Sequence, residues 1–293
     1  MEPSFKFVFF GGEPLAVPVL EKLKEEGLMP DLIICNPDRP SGRGQELSEP
    51  PAKVWAEEQG IEVFQPSSYK DGVAKEKLSQ GKWDVFVVVA YNFILPKWLL
   101  DIPERGVVNV HPSLLPKLRG SSPIRTAIKD NLPEDVGVTI MLLDEKMDEG
   151  PTLEQEELPL TKANWPMSGP ELDKTLAELG GELLAEILPA WVADELSPQE
   201  QEHKAATYCG KLSKSDSELS IDPQRMLAGR EATKAWHTIN AFVGIGDTFF
   251  MHNGKRVKIK KAELTNGGSL RLLRVIPEGK KEIDFNDYLN RLT

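Results

Sequence analysis

Cysteine is scarce in this sequence: the 293 residues contain two, Cys35 and Cys209. They lie far apart and form no CxxC pair, so neither a disulfide framework nor a zinc site of the usual spacing has support. The four histidines and the scattered acids form no pattern of metal ligands either, and no metal is expected. This cysteine usage is typical of a protein that works in a reducing, cytoplasmic setting.

Long apolar runs are also absent. The run VFVVVAY, residues 85–91, is far too short to cross a bilayer, and the first residues show no long apolar segment behind a basic leader. We therefore expect neither export nor insertion into a membrane.

Three common catalytic motifs are missing as well. The first turn, FFGGEPLA, lacks GxGxxG, and no strand-terminal acid follows in the place that would bind a ribose. The motifs GxxxxGK[ST] and GxSxG do not occur. These absences argue against a nicotinamide-dependent dehydrogenase, a P-loop NTPase and a serine hydrolase.

Positive charge is sparse overall but concentrated near the end of the chain. The formal net charge is -11, yet residues 203–293 hold 16 Lys and Arg against 10 Asp and Glu, a net charge of +6. This asymmetry is typical of an acidic body with a basic, polyanion-binding module. An ordinary mixed surface explains the charge alone equally well.

The first half of the chain alternates short apolar runs with segments of mixed polarity. The runs KFVFF, DLIIC, VFVVVAY and GVVNVH have the length and composition of strands buried in parallel sheets. The segments between them have the pattern of covering helices that end in a glycine. The alternation predicts an α/β fold with a Rossmann-like, doubly wound, mostly parallel sheet, which VGVTIMLLD extends.

Domain boundaries follow from changes in this pattern. A long helix is predicted from Gly169, with a leucine stripe that we interpret as core packing. The polar, aperiodic segment 197–206 is predicted to be a linker, which makes 1–196 the first domain. Residues 207–293 are β-rich with one helical stretch, and Asn253-Gly254 between alternating runs indicates a hairpin. We predict a small, partly open, OB-like β-barrel for this second domain.

Polar side chains end the strand GVVNVH. Asn109 and His111 are two residues apart, so both side chains point to one face at the carboxyl end of the sheet, where ligands collect. An amide and an imidazole together can hold an oxyanion and move a proton, although a histidine at a strand end is more often a structural residue. Asp148 reaches the same edge if its preceding strand runs parallel, and Asp144 competes for the role of orienting the imidazole.

The stretches NVHPSLLPKLRGSSPI and GVTIMLLDEKMDEG resemble the signature of the formyltransferases that use 10-formyltetrahydrofolate. The resemblance implies that Asn109 polarises the formyl carbonyl, His111 supplies charge or a proton, and Asp148 tunes His111 and assists proton transfer. It implies 10-formyltetrahydrofolate as cosubstrate and no tightly bound cofactor. The residues implied in folate binding are Ser113, Leu114, Leu115, Pro116, Ile94 and Leu95.

Further stretches resemble the methionyl-tRNA formyltransferase branch of that family. They are NPDRPSGRGQELSEPPAKVWAEEQGIEVFQP, VVVAYNFILPKWLLDIP, ATYCGKLSKSDSELSID and PEGKKEIDFNDYLNR, which together extend over nearly the whole chain. The resemblance implies acceptor-stem contacts by Arg39 and Arg43. Gln45, Glu46 and Glu49 stand where the family usually carries positive charge, which weakens the grip expected of this loop on phosphates.

The expected activity is therefore formyl transfer to the α-amino group of methionine on initiator methionyl-tRNA, in support of translation initiation. An alternative is a folate-dependent formyltransferase that acts on a nucleotide-linked amino sugar. A third possibility is an RNA-binding protein with a decayed active site. Against this possibility, the candidate catalytic residues Asn109, His111 and Asp148 are intact. We expect a cytoplasmic monomer.

The strand KRVKIKK in the second domain supplies the candidate phosphate contacts. Lys255, Arg256, Lys258 and Lys260 place cations on both faces of the strand, where they could follow a phosphate backbone. The alternative is a solvated edge strand protected by lysines. Together with the resemblance, the pattern favours tRNA binding.

Overall fold

A computed structural model describes residues 5–41 and 46–292. The chain divides into two compact units. The first unit comprises residues up to 119, 137–158 and 173–208, and the second comprises 120–136, 159–172 and the residues from 209 onward. The domain boundaries predicted at residues 196 and 207 stay a prediction.

In the described part of the chain, ten strands and six α-helices precede residue 193. The strands are β1 (Phe7–Phe10), β2 (Leu32–Ile34), β3 (Arg39–Ser41), β4 (Glu46–Ser48), β5 (Glu62–Phe64), β6 (Val85–Val88), β7 (Val107–His111), β8 (Arg119–Gly120), β9 (Gly137–Leu142) and β10 (Thr152–Glu157). The helices are α1 (Ala16–Glu25), α2 (Pro51–Gln59), α3 (Val73–Ser79), α4 (Lys97–Leu100), α5 (Pro123–Asp130) and α6 (Gly169–Val192).

Seven of these strands form the central sheet of the first unit, in the order β10-β9-β7-β6-β1-β2-β5. Neighbours from β7 to β5 pair in parallel. The strands β1, β2 and β6 are buried along their whole length, as their continuous apolar runs predict. The predicted mostly parallel, doubly wound sheet is thus confirmed, and its strand order reverses between β1 and β6.

Asp148 is predicted to reach the carboxyl end of the sheet on the condition that β9 runs parallel to its neighbour, and β9 does not. β9 pairs antiparallel with β7, and β10 returns antiparallel to β9. The end of β9 therefore lies beside the start of β7, with Leu142 opposite Val108. Asp148 consequently does not follow a parallel strand, and the loop between β9 and β10 must carry it to the site.

The long helix α6 confirms the prediction of a helix from Gly169. Leu176 and Leu183 are buried, as a core-facing leucine stripe requires. Within the first unit, Gly180 lets the helix approach the sheet closely: a Cβ added there would lie 2.6 Å from Val110 Cγ1 and 3.1 Å from Val138 Cγ1.

The second unit contains the β-rich end of the chain. Its further elements are β12 (Leu227–Ala228), α7 (Gly229–Phe242), β13 (Phe249–His252), β14 (Lys255–Leu264), β15 (Ser269–Pro277), β16 (Ile283–Asp284) and α8 (Phe285–Asn290), and β11 (Tyr208–Cys209) precedes them. The sheet has the order β12-β15-β14-β13, and β16 pairs with β15.

All strand pairs described in this second sheet are antiparallel. The hairpin predicted at Asn253-Gly254 is confirmed, with His252 opposite Lys255. Register shifts around Lys261 interrupt the pairing of β14 with β15, and such bulges bend a sheet. The sheet is a curled, antiparallel half-barrel, which agrees with the small, partly open barrel predicted for this part of the chain.

Among the described residues, no helix combines the length and the apolar character that crossing a bilayer requires.

Gly180 provides a test of this packing. Replacing a helical glycine by alanine ordinarily stabilises a helix by about 1 kcal/mol. We expect Gly180→Ala instead to lower the free energy of unfolding by roughly 1–3 kcal/mol, because the stiff side chain of Val110 must move. Urea unfolding measures the difference. Gly210→Ala is the control, since among the described residues no heavy atom other than those of Gly210 and its chain neighbours lies within 4 Å of a Cβ built there. A stabilised Gly180→Ala protein would contradict the close approach.

Candidate active site

The candidate site begins at the carboxyl end of β7. Asn109 lies beside Val88 of β6, and His111 lies beside Thr139 of β9. Both side chains leave the same face of the strand. Asn109 is half-buried, and among the described residues its amide has no hydrogen-bond partner. This amide is therefore free to bind a ligand.

His111 is buried, and its two ring nitrogens face different partners. Nε2 lies 3.1 Å from the carbonyl oxygen of Leu118. Because a carbonyl oxygen only accepts, Nε2 must carry a proton and donate it. Nδ1 lies 3.8 Å from Oδ1 of Asp148. Nδ1 is therefore the nitrogen that can gain and lose a proton, and it faces the Asp148 carboxylate.

Two opposing effects act on the pKa of His111. Burial disfavours the charged ring and lowers the pKa below its usual value, and this effect is the larger. The Asp148 carboxylate and the Leu118 carbonyl favour the protonated ring and oppose that fall. His111 is thus neutral at pH 7 but has an acceptor beside Nδ1 that stabilises a proton arriving there.

Asp148, rather than Asp144, faces the imidazole. The carboxylate of Asp144 accepts a hydrogen bond at 2.7 Å from the backbone N–H of Lys146, and thereby closes a local turn. Asp148 has the left-handed backbone conformation, with φ at +55°. Two residues on, a Cβ at Gly150 would collide with the carbonyl oxygen of Leu142, so only glycine allows the loop this close to β9.

The loop after His111 is held from β9 and β10. The hydroxyl of Thr139 donates to the Ser113 carbonyl at 2.6 Å and accepts from the Leu115 N–H at 3.0 Å. Gln155 Nε2 donates to that hydroxyl and to the Leu115 carbonyl, both at 2.7 Å. Sequence reasoning missed Thr139 and Gln155, because residues on a neighbouring strand produce no local pattern.

The six residues predicted to bind folate differ in how accessible they are. Ser113 and Leu115 are buried, and the Ser113 hydroxyl donates to the Lys117 carbonyl at 2.6 Å. Leu114 and Pro116 are partly exposed. Leu95 packs against the core of the sheet, while the side chain of Ile94 is 88% exposed.

The predicted RNA-binding residues fall in separate places. Arg39 lies on β3, in the first unit, and is exposed, and Arg43 lies outside the described residues. In the second unit, Lys255 is exposed, and the guanidinium of Arg256 stacks 4.6 Å from the ring centre of Phe249.

Lys258 and Lys260 share one acid. Their ammonium groups lie 3.1 and 2.7 Å from the two carboxylate oxygens of Asp247, so that one carboxylate balances part of their charge. The described residues contain no group of three or more possible metal ligands.

The sequence profile described as formyl transferase matches residues 5–188, which is more than half of the chain. The chain belongs to this family. A methionyl-tRNA formyltransferase from Chromohalobacter salexigens is 42% identical over 78% of this chain and 70% of its own length. Another, from Methylococcus capsulatus, is 33% identical over 97% of this chain and 96% of its own length. The likeness to this formyltransferase therefore includes the second unit.

Among solved structures, an N-formyltransferase from Helicobacter canadensis in complex with folinic acid and dTDP-3-aminofucose is similar in fold. Its TM-score is 0.62 at 17% identity, and the match covers 92% of this chain and 98% of that one. At this identity the likeness shows the fold of the formyltransferase family alone.

The titration of His111 tests the geometry of the site. We expect its pKa below the value of about 6.5 that exposed histidines show, because the ring is buried. Asp148→Asn should lower that pKa further, since it removes the charge that favours the imidazolium ion. Histidine-specific NMR across pH measures both values, with His111→Gln to assign the signal. Asp144→Asn is the control and should leave the pKa unchanged; a fall as large as in Asp148→Asn would mean that the wrong carboxylate faces the ring.

Proposed function

We propose that this protein transfers the formyl group of 10-formyltetrahydrofolate to the α-amino group of methionine on initiator methionyl-tRNA, a reaction that supports translation initiation. The observation that carries the proposal is the pairing of His111 with Asp148 next to the unpartnered amide of Asn109. Formyl transfer between two nitrogens needs an oxyanion site and a route for a proton, and it needs no covalent nucleophile.

The positions of the atoms support a separate role for each of the three side chains. The amide of Asn109 donates to the formyl oxygen and stabilises the oxyanion that forms when the amine attacks the formyl carbon. The attacking nitrogen forms its bond to carbon and loses a proton toward Nδ1 of His111 and the carboxylate of Asp148. The intermediate then collapses as the bond from carbon to the folate nitrogen breaks, and that nitrogen takes up the proton that His111 and Asp148 received from the amine. His111 and Asp148 thus return to their starting state.

The folate cosubstrate would contact the loop that follows His111. Ser113 and Leu115 support the loop from within, so the partly exposed Leu114 and Pro116 are better placed to touch the ligand. Ile94 is the most exposed of the six predicted residues and offers apolar surface to the pterin or to the group that joins it to the tail. We propose no tightly bound cofactor.

Two observations favour methionyl-tRNA as the acceptor over a nucleotide-linked amino sugar. The relatives that are 33% and 42% identical bear the name methionyl-tRNA formyltransferase, whereas the amino-sugar complex is similar at the level of fold. The basic second part of the chain also gives a polyanion a surface to bind, for which a small nucleotide-linked sugar has little use. We propose that the protein acts in the cytoplasm, as a monomer.

The acceptor is tested with 10-formyltetrahydrofolate as donor and three acceptors in parallel: initiator methionyl-tRNA, free methionine and a nucleotide-linked amino sugar. We expect formylation of the charged tRNA alone. Asn109→Ala is the matched control and should lower kcat about 100- to 1000-fold, because an oxyanion donor is removed. If only the sugar is formylated, the proposed acceptor is wrong while the chemistry of the site stands.

The lysines of β14 give a separate test of RNA binding. We expect Lys258→Glu with Lys260→Glu to raise the Michaelis constant for methionyl-tRNA and to reduce its salt dependence by roughly one slope unit for each phosphate that a lysine no longer neutralises. Asp247→Asn should act in the opposite direction, because it frees both lysines from their shared carboxylate.

Lys174→Glu is the control for that experiment. It changes an exposed lysine on α6 in the first unit, whose partner is Glu178, and the Michaelis constant should not respond. An unchanged constant in the β14 variant would remove Lys258 and Lys260 from the RNA site.

A further inference from the structure

Arg119 is one of the most deeply buried charges of the first unit, with 1% of its surface exposed. Its Nε and Nη2 both donate to Oε1 of Gln201, at 3.1 and 2.7 Å. Nη2 also lies 2.9 Å from Nδ1 of His203, and Nη1 donates to the hydroxyl of Tyr208 at 3.2 Å. An acid, Glu149, lies farther away, at 3.8 Å from Nη1. A guanidinium bound mainly by neutral groups serves to fix geometry more than to neutralise charge.

Gln201 passes this restraint on to the loop that carries Asp148. Its Nε2 donates to the backbone carbonyl of Asp148 at 3.0 Å and to that of Gly150 at 2.6 Å. Because its oxygen accepts from Arg119 while its nitrogen faces two carbonyl oxygens, the orientation of the amide is fixed. A flipped amide would place its NH2 group against the Arg119 guanidinium and its oxygen against the two carbonyl oxygens.

The same part of the chain also holds the other partner of His111. The hydroxyl of Thr207 accepts from the backbone N–H of Leu118 at 2.8 Å, and its carbonyl accepts from the N–H of Arg119 at 2.9 Å. The carbonyl of Leu118 is the acceptor for Nε2 of His111. Residues 201–208 therefore contact both loops whose atoms face the imidazole.

We propose that Arg119 and Gln201 are positioning residues, which hold the Asp148 carboxylate at Nδ1 of His111 through the two backbone carbonyls on either side of Glu149. The segment predicted as a linker is thus part of the frame of the active site. The part of this proposal that concerns turnover rests on the proposed function.

The conformation of the loop explains why such an anchor is needed. Asp148 has a positive φ. Aspartate enters this left-handed region more readily than most non-glycine residues, but it does so only occasionally, so contacts that hold the loop in place favour this conformation. Without the two hydrogen bonds from Gln201, the backbone can relax toward an ordinary conformation and move the carboxylate from the ring. Asp148 is the charged group that acts on the pKa of His111, and the remaining polar partner is the carbonyl of Leu118.

The test compares Gln201→Leu with wild type in the full-length protein. We expect kcat for formyl transfer to fall roughly 10- to 100-fold, as small misplacements of catalytic groups do, while the Michaelis constants for folate and tRNA change less than about twofold. The limb of the pH profile that belongs to His111 should move to lower pH, because the carboxylate no longer favours the protonated ring. Asp148→Asn sets the largest shift that this effect can produce.

Gln201→Glu separates the two halves of the contact. A carboxylate still accepts from Arg119, but it cannot donate to the carbonyls of Asp148 and Gly150. We therefore expect a loss of kcat and a pH shift in the same direction as in Gln201→Leu, even where thermal unfolding shows that the protein is as stable as wild type. Such a variant keeps the test informative if Gln201→Leu does not fold.

Gln199→Leu is the matched control. Gln199 lies two residues away and is exposed, and its side chain contacts the carbonyl of Ser197 rather than the Asp148 loop. This variant should keep the wild-type kcat and pH profile. If Gln201→Leu and Gln201→Glu fold and also keep both, or if they lose activity with an unshifted profile, Gln201 does not position Asp148.

Failure of the proposed function has a different signature. If the wild-type protein formylates no acceptor, the pKa of His111 can still be measured by NMR in the Gln201 variants. A fall toward the value in Asp148→Asn supports the positioning role without any turnover, and an unchanged pKa overturns it.

Discussion

Burying the imidazole of His111 is the constraint on which the rest of the site depends. A buried polar atom without a partner destabilises the fold by about 1–3 kcal/mol, so both ring nitrogens need polar neighbours. The strand that delivers His111 cannot provide them, because its own polar backbone groups pair with β6 and β9. The partners must come from loops: Leu118 from the segment after β7, and Asp148 from the segment after β9. Two loops therefore have to be held in place before both nitrogens of the imidazole have polar neighbours.

The sheet holds part of the loop after β7 in place. Because β9 runs antiparallel to β7, Thr139 stands directly beside His111, and its hydroxyl ties down the loop at Ser113 and Leu115. All three hydrogen-bonding positions of that hydroxyl are used once Gln155 is counted. The second support comes from residues 201–208, which bond to Leu118 on one side and to the Asp148 loop on the other. The two supports come from different parts of the chain: Thr139 and Gln155 hold the loop after β7, whereas residues 201–208 hold both that loop and the Asp148 loop.

Features that depend on residues close together in the sequence could be predicted, and features that join distant residues could not. The strands of the sheet and the spacing of Asn109 and His111 follow from patterns within a few residues, and the structure agrees with them. The direction of β9 does not follow, because a short apolar strand has the same composition whether its neighbour is parallel or antiparallel. Nor does the contact of Arg119 with Gln201, which joins residues 82 positions apart. Polarity without periodicity made residues 197–206 look like a linker, although Gln201 is buried.

The contacts of Gln201 escaped the sequence analysis for a physical reason that reaches beyond this chain. A glutamine that donates to two carbonyls and accepts from a buried arginine is chosen for hydrogen-bond geometry, and geometry of this kind leaves no hydrophobic signal. Catalytic side chains can be found from a sequence because chemistry restricts them to a few residue types. The groups that hold those side chains are neutral, polar and common, so they resemble surface residues until their partners are known. In this protein His111 and Asp148 could be named from the sequence as candidates, Asp148 through the family resemblance, whereas Gln201, which we propose sets the distance between them, could not.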